Sequence, residues 1–173
     1  ITDHGDGTYT IQPDPDFNGT LYLDFEVSDG TVAVPKQGQV YVSPVNDAPV
    51  NAVPAAQSVL EDTALVFSAA NGNAITVSDV DAGSADIQTS LIVAQGSLTL
   101  GSTANVSVTG NGSGMVVLTG ALAAINAALD GLSYQGAQDF NGADSLTITT
   151  DDLGNTGTGG ALQDSDVVAI TVT

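Results

Sequence analysis

Apolar and polar residues alternate along this chain in short runs of period two. The clearest run is Leu21-Tyr22-Leu23-Asp24-Phe25-Glu26-Val27, the pattern of a strand with one face turned to a core. Residues 37–45 and 167–172 read the same way, as do 64–68, 74–78, 91–94, 97–100, 106–109 and 115–118. Gly5-Asp6-Gly7, Asn18-Gly19, Asp29-Gly30, Asn71-Gly72 and Asn111-Gly112 supply turns between them. Short strands at this spacing predict an all-β antiparallel sandwich. One stretch breaks the rule. Residues 120–129 are rich in helix formers, with Leu122, Ile125 and Leu129 on one face. They predict a short helix with Thr119 capping its start and Gly131 closing it in a left-handed turn.

The pattern repeats. Gln12-Pro13-Asp14-Pro15-Asp16-Phe17-Asn18-Gly19 aligns without a gap on Gln135-Gly136-Ala137-Gln138-Asp139-Phe140-Asn141-Gly142. Leu23, Phe25 and Asp29 then fall opposite Leu146, Ile148 and Asp152, and Val40-Tyr41-Val42 matches Ile170-Thr171-Val172 after an insertion in the second copy. Tandem modules follow: residues 1–45 as the C-terminal part of one sandwich, residues 46–49 as a connector, and residues 50–173 as a nearly complete second sandwich. Only eleven residues precede the shared motif in the first copy, so that copy reads as lacking its beginning and the chain as a piece of something longer. Each Asp-Phe-Asn-Gly reads as structural, with Phe anchored in the core and Asn-Gly turning the chain.

Composition narrows the function. Twenty carboxylates face one lysine, Lys36, and no arginine, for a formal charge of −19. Yet 42% of residues are hydrophobic and only 12% charged, the balance of a folded chain with an acidic surface. Self-repulsion at this charge opposes the compact state unless something offsets it; divalent cations are one answer, halophilic adaptation another. The sign disfavours nucleic acid and anionic membranes as partners. There is no cysteine, no apolar run near the ~20 residues of a membrane span, and no signal-peptide pattern in Ile1-Thr2-Asp3-His4.

Catalytic chemistry is thinly represented. His4 is the single histidine and lies in the first copy, so no Ser-His-Asp or Cys-His system can form in the second. Carboxylates are plentiful enough for a glycosidase by residue type, but no tryptophan is present for a sugar platform. The expectation is a non-enzyme. The carboxylates gather in short loops, often in pairs: Asp79-Val80-Asp81, Asp151-Asp152 and Asp164-Ser165-Asp166. Calcium takes six to eight oxygen ligands in flexible geometry, so loops of this kind meeting at one end of a sandwich suit it. No EF-hand spacing occurs. The connector Pro44-Val45-Asn46-Asp47-Ala48-Pro49 adds two stiff prolines around two oxygen-bearing side chains.

Three of these stretches together carry a resemblance. Val59-Leu60-Glu61-Asp62-Thr63, Ser78-Asp79-Val80-Asp81-Ala82-Gly83-Ser84 and the Asn46-Asp47-Ala48-Pro49 connector resemble cadherin calcium motifs. With Asp-Phe-Asn-Gly and the Ala/Leu-rich helix, the whole is similar to the cadherin-like tandem repeats of giant bacterial repeats-in-toxin (RTX) adhesins. The resemblance implies Asn46, Asp47, Glu61, Asp79 and Asp81 as calcium ligands at the junction between the two modules, with Asp29 facing the same junction. It implies Asp151 and Asp152, with Asn155, as contributors to the next junction beyond Thr173. No counterpart of the cadherin mid-domain Asp-Arg-Glu motif is present. The implied role is an extracellular, calcium-rigidified extender of a bacterial surface adhesin supporting adhesion and biofilm formation. Its partners are neighbouring repeats, calcium ions and, through other domains, surface glycans or host surfaces. A carbohydrate-binding or accessory module of a secreted hydrolase is the alternative.

Overall fold

The computed structural model describes all residues, Ile1–Thr173. The chain forms two compact units, Ile1–Val45 and Asn46–Thr173.

In the first unit, β1 (Thr2–Asp3) pairs antiparallel with β2 (Tyr9–Thr10). A ten-residue hairpin follows, β3 (Gly19–Ser28) against β4 (Ala33–Val42), in register from Gly19↔Val42 to Ser28↔Ala33. Side chains directly opposite one another share a face. One face therefore carries Leu21/Val40, Leu23/Gly38, Phe25/Lys36 and Val27/Val34. Strand β4 ends at Val42, before the expected limit at Val45.

The second unit contains β5 (Val50–Ala52), β6 (Gln57–Val59), β7 (Ala64–Phe67), β8 (Thr76–Ser78), β9 (Asp86–Ile92), β10 (Gly96–Thr99), β11 (Ser107–Thr109), β12 (Met115–Ala121), α1 (Leu122–Leu129), β13 (Leu132–Gly136), β14 (Gly142–Asp151) and β15 (Gln163–Val172). One sheet runs β11-β12-β9-β14-β15-β6, and the remaining strands form β10-β13-β7 and β5-β8. All pairs are antiparallel except β15 with β6. Phe67, Ile87, Leu91, Leu98, Leu118, Leu132, Tyr134, Leu146 and Ile148 are fully buried among them. The chain is thus all-β with one short helix, as its period-two patterning predicts, and the second unit carries the packed core.

The helix contributes Ile125, Ala128 and Leu129 to the core. Thr119 does not cap it. Strand β12 runs on through Ala121, so Thr119 pairs with Gln88 across the sheet and the helix starts without a side-chain cap. Gly131 does take a left-handed conformation, φ +93, and its N–H donates to the Phe67 carbonyl. In both Asp-Phe-Asn-Gly copies the left-handed non-glycine residue is the aspartate, Asp16 at φ 62 and Asp139 at φ 57, not the asparagine. Phe140 packs against the core as expected.

Two buried polar clusters fix the hairpin β14–β15 in place. Near its closed core, Asp144 accepts hydrogen bonds from the N–H groups of Ala94, Gln95 and Ser145 and from the Tyr134 hydroxyl. Burial, with this carboxylate alongside, raises the Tyr134 phenol far above its ordinary range. Toward the other end, Thr150 donates to Asn51 Oδ1 at 2.7 Å, and the Asn51 N–H donates to Asp164 Oδ2 at 2.7 Å. These bonds carry β5, and hence the start of the unit, against the loop-side ends of β14 and β15.

Candidate functional site: the Asn46 end of the second unit

Ten residues of β15 separate the two ends of this unit, about 30 Å at strand rise. At one end sit Asn46, the β8–β9 loop and the loop at residues 152–162; at the other sits Thr173. This polarity sorts the candidate ligands.

Asn46 is the anchor of the first end. Only 5% exposed, it donates its backbone N–H to Thr158 O at 3.0 Å and its side-chain amide to Asp152 Oδ2 and Gly160 O. Residue 46 is therefore built into the second unit. Asp47 follows with its N–H on Asp81 Oδ2 at 3.0 Å. Within the β8–β9 loop, Asp79 Oδ1 accepts from the N–H groups of Asp81 and Ala82 at 3.0 and 2.9 Å, a turn held by its own side chain.

The loop at 152–162 closes over these residues. Its counterpart in the first hairpin has four residues, 29–32, whereas this one has eleven. Leu153 and Thr156 adopt φ 60 and 54, and Gly154, Gly157, Gly159 and Gly160 are also left-handed. The coil so made brings Thr156 Oγ1 to the Asp81 carbonyl and Asn155 Nδ2 to the Asp86 and Asp152 carbonyls. Asp152, fully buried, accepts from Gly154 N and Leu162 N at 2.8 and 2.9 Å. Burial pushes its carboxyl up, but the hydrogen bonds from Leu162, Gly154 and Asn46 outweigh it, and the net shift is downward.

Three oxygens at this end have no hydrogen-bond partner although solvent does not reach them: Asn46 Oδ1, Asp79 Oδ2 and Asp81 Oδ1. Leaving such atoms unpaired is costly. Burial, together with the neighbouring Asp81 carboxylate, raises the Asp79 carboxyl above its usual range, which marks a site where negative charge lacks a counterpart. An oxygen-seeking divalent cation fits that donor set, since all three are acceptors of the hard type that calcium binds. No three carboxylate or imidazole side chains converge anywhere in the chain. The set is two carboxylates and an amide.

The other sequence-predicted ligands lie elsewhere. Glu61 is at the opposite end of this unit: its N–H donates to Thr173 O, and its side chain is exposed. It is not brought to Asn46, Asp79 and Asp81, because β5 and β6 carry the chain along the sandwich between them. Asp152 is not at the end that carries Thr173; it lies in contact with Asn46. Its neighbour Asp151 points across the hairpin, accepting from Gln163 Nε2 and Leu153 N. In the first unit, Asp29 occupies the tip of the β3–β4 hairpin, at the far end from Val42 where the chain leaves, and caps its own turn through Thr31 N and Val32 N. Those bonds lower its carboxyl below the usual range. Thr156, Thr158 and Gly160 were missed by sequence reasoning, for they contribute through backbone placement or through a carbonyl contact that carries no residue-type signal.

Comparison with known proteins places this architecture. Residues 60–158, more than half of the chain, match the family model described as "Protein GAMETE EXPRESSED 2 domain", and the chain belongs to that domain family. Residues 1–43 match the model described as "Cadherin-like domain", so the first unit is cadherin-like. No curated protein matches the chain. Among solved structures, human mucin-like protocadherin EC1-2 is similar at 15% identity and TM-score 0.48, over 96% of this chain and 74% of that one. Human protocadherin-24 EC1-2 is similar at 17% identity and TM-score 0.37, over 89% and 66% respectively.

Proposed function

We propose that the second unit is a calcium-binding structural module of a large extracellular adhesin, non-enzymatic and repeated in tandem. The observation that carries this reading is the trio of solvent-shielded, unpartnered oxygens on Asn46, Asp79 and Asp81. A Ca2+ ion there would take these oxygens as ligands and relieve the repulsion between Asp79 and Asp81. Asp152 would hold the Asn46 amide in place, and Asp47 would be drawn in through its N–H on Asp81. Bound calcium would stiffen the start of the module, the part of the chain that meets whatever precedes it. Stiffened modules in series make an extended stalk, the role expected of an RTX-type adhesin on a bacterial surface during adhesion and biofilm formation. The acidic surface, −19 overall, is consistent with a medium in which divalent cations are plentiful. No helix is long and apolar enough to cross a membrane.

Isothermal titration of the chelator-treated chain with calcium tests the proposal. Saturable binding in the ~10⁻⁴–10⁻³ M range of extracellular modules, lost in Asp79→Asn with Asp81→Asn, is expected. Binding that survives both substitutions unchanged would remove the site.

A further inference from the structure

Charge is distributed unevenly over the second unit. From Ile87 to Leu129 no residue is acidic or basic, although the chain carries twenty carboxylates in all. That stretch supplies β9, β10, β11, β12 and the helix. Three of these strands lie together at one side of the large sheet, in the order β11-β12-β9-β14-β15. Ladder partners share a face, so the register defines the outer surface of the sheet. One row across it is Met115, Ile92, Thr147 and Val167. The next is Thr109, Val117, Ser90, Thr149 and Ser165. A third is Ser107, Thr119, Gln88, Asp151 and Gln163. Among the outward positions of these five strands only Asp86 and Asp151 are charged, both at the end where β9 starts and β14 finishes. The apolar row is open to solvent, with Met115 53%, Ile92 44% and Val167 58% exposed.

We infer that this outer face is a self-association surface, on which a second copy of the chain docks sheet face to sheet face. The inference is independent of the calcium reading. A basic partner would be drawn to the carboxylates that crowd the rest of the chain, away from this face. A partner as acidic as the chain itself can approach only where charge is missing, because two copies at −19 repel elsewhere. Serine and threonine fill the row beside Ile92 and Val167, so two such faces can close to the ~10 Å of packed sheets. Running the strands of the two copies in opposite directions keeps their Asp86 and Asp151 ends apart. Four strands about 4.8 Å apart, each about seven residues long, bury about 900 Å² for the pair, the size of a weak and reversible contact. Salt strengthens it by screening the remaining repulsion.

Sedimentation equilibrium of the full chain in chelator, up to about 500 μM and at about 0.1 and 0.5 M salt, tests the inference. The expected result is a monomer–dimer equilibrium that tightens about threefold or more at the higher salt. A carboxylate placed on the face should weaken it about tenfold or more, in Ile92→Glu and separately in Val167→Glu. Circular dichroism melts identify any variant that fails to fold, and the other then supplies the reading. Two controls locate the contact. Phe25→Glu, at an exposed apolar position of the first unit, and Val66→Glu, on the outer side of β7, should leave the equilibrium unchanged. A chain that stays monomeric throughout would overturn the inference. So would association that Phe25→Glu abolishes, or that survives both Ile92→Glu and Val167→Glu.

Discussion

Asn46 donates its side-chain amide to the carboxylate of Asp152, 106 positions further along the chain, and both residues are buried. This bond fixes the start of the second unit onto the loop that closes its longest hairpin. It also settles the orientation of the Asn46 side chain, because Nδ2 is committed to Asp152 and Gly160 and Oδ1 is left as a bare acceptor.

Replacing Asp152 removes the hub of that arrangement. Asp152→Ala strands the Gly154 and Leu162 N–H groups and leaves the Asn46 amide with Gly160 O as its one remaining acceptor. Each buried, unsatisfied donor costs about 1–3 kcal/mol when water cannot replace its partner. With partial relaxation, the expected loss is about 2–4 kcal/mol for the second unit, read by urea denaturation in chelator. A change below about 0.5 kcal/mol would show that the loop is not held in this way.

The two shifted carboxyls of this end act in opposite senses on stability without calcium. The lowered carboxyl of Asp152 contributes stability that is present above the unfolded value of 3.8 and is lost as pH falls through the still lower folded value. Asp79 is raised instead, so its ionisation costs stability above its folded value, and that cost is relieved as pH falls toward 3.8. Stability measured in chelator should therefore rise as acid is added toward the ordinary aspartate range, then fall below it. Asp79→Asn should remove the rising limb and keep the falling one. Denaturant midpoints across pH 3 to 7, at constant ionic strength, supply the check.

Calcium removal should lower the thermal midpoint. At millimolar calcium and a dissociation constant of ~10⁻⁴–10⁻³ M, one site contributes about 0.4–1.4 kcal/mol. For a unit of this size that is a shift of about 2–6 °C. Differential scanning calorimetry with and without chelator should show it in the native chain and not in the Asp79→Asn, Asp81→Asn pair.

Asp144 offers a structural control away from the calcium candidates. The repeat places Leu21 at the equivalent position, yet Asp144→Leu should not be tolerated. It would leave Ala94 N and Gln95 N without their acceptor and the Tyr134 hydroxyl with only the longer bond to the Gln95 carbonyl, at a cost of about 3 kcal/mol. Chemical denaturation of the variant, in calcium and in chelator, should show the same loss in both.

Much of the fold was legible because period-two alternation and the offset between the two hairpins are local signals. Leu23 and Leu146, like Phe25 and Ile148, fall at one constant offset. The ends of the sandwich were not legible. Glu61 is near Asn46 in sequence, but β5 and β6 place it beside Thr173; Asp152 is near Thr173 in sequence, but β14 and β15 run in opposite directions and return it to Asn46. A list of acidic residues does not say which end of a strand each loop occupies. The loop at 152–162 was hidden for another reason, since Leu153 and Thr156 take left-handed backbones that their side chains do not advertise.

The most direct measurement is a calcium titration of the isotope-labelled, chelator-treated chain followed by two-dimensional NMR. Saturable shifts are expected of the Asn46 side-chain amide and of the backbone amides of Asp47, Asp81 and Ala82, with Asp29 and Glu61 unmoved at the same concentrations. An unchanged spectrum up to about 10 mM calcium, well above the range of extracellular sites, would contradict the calcium site. So would saturable shifts confined to Glu61, Asp62 and Asp139 at the other end.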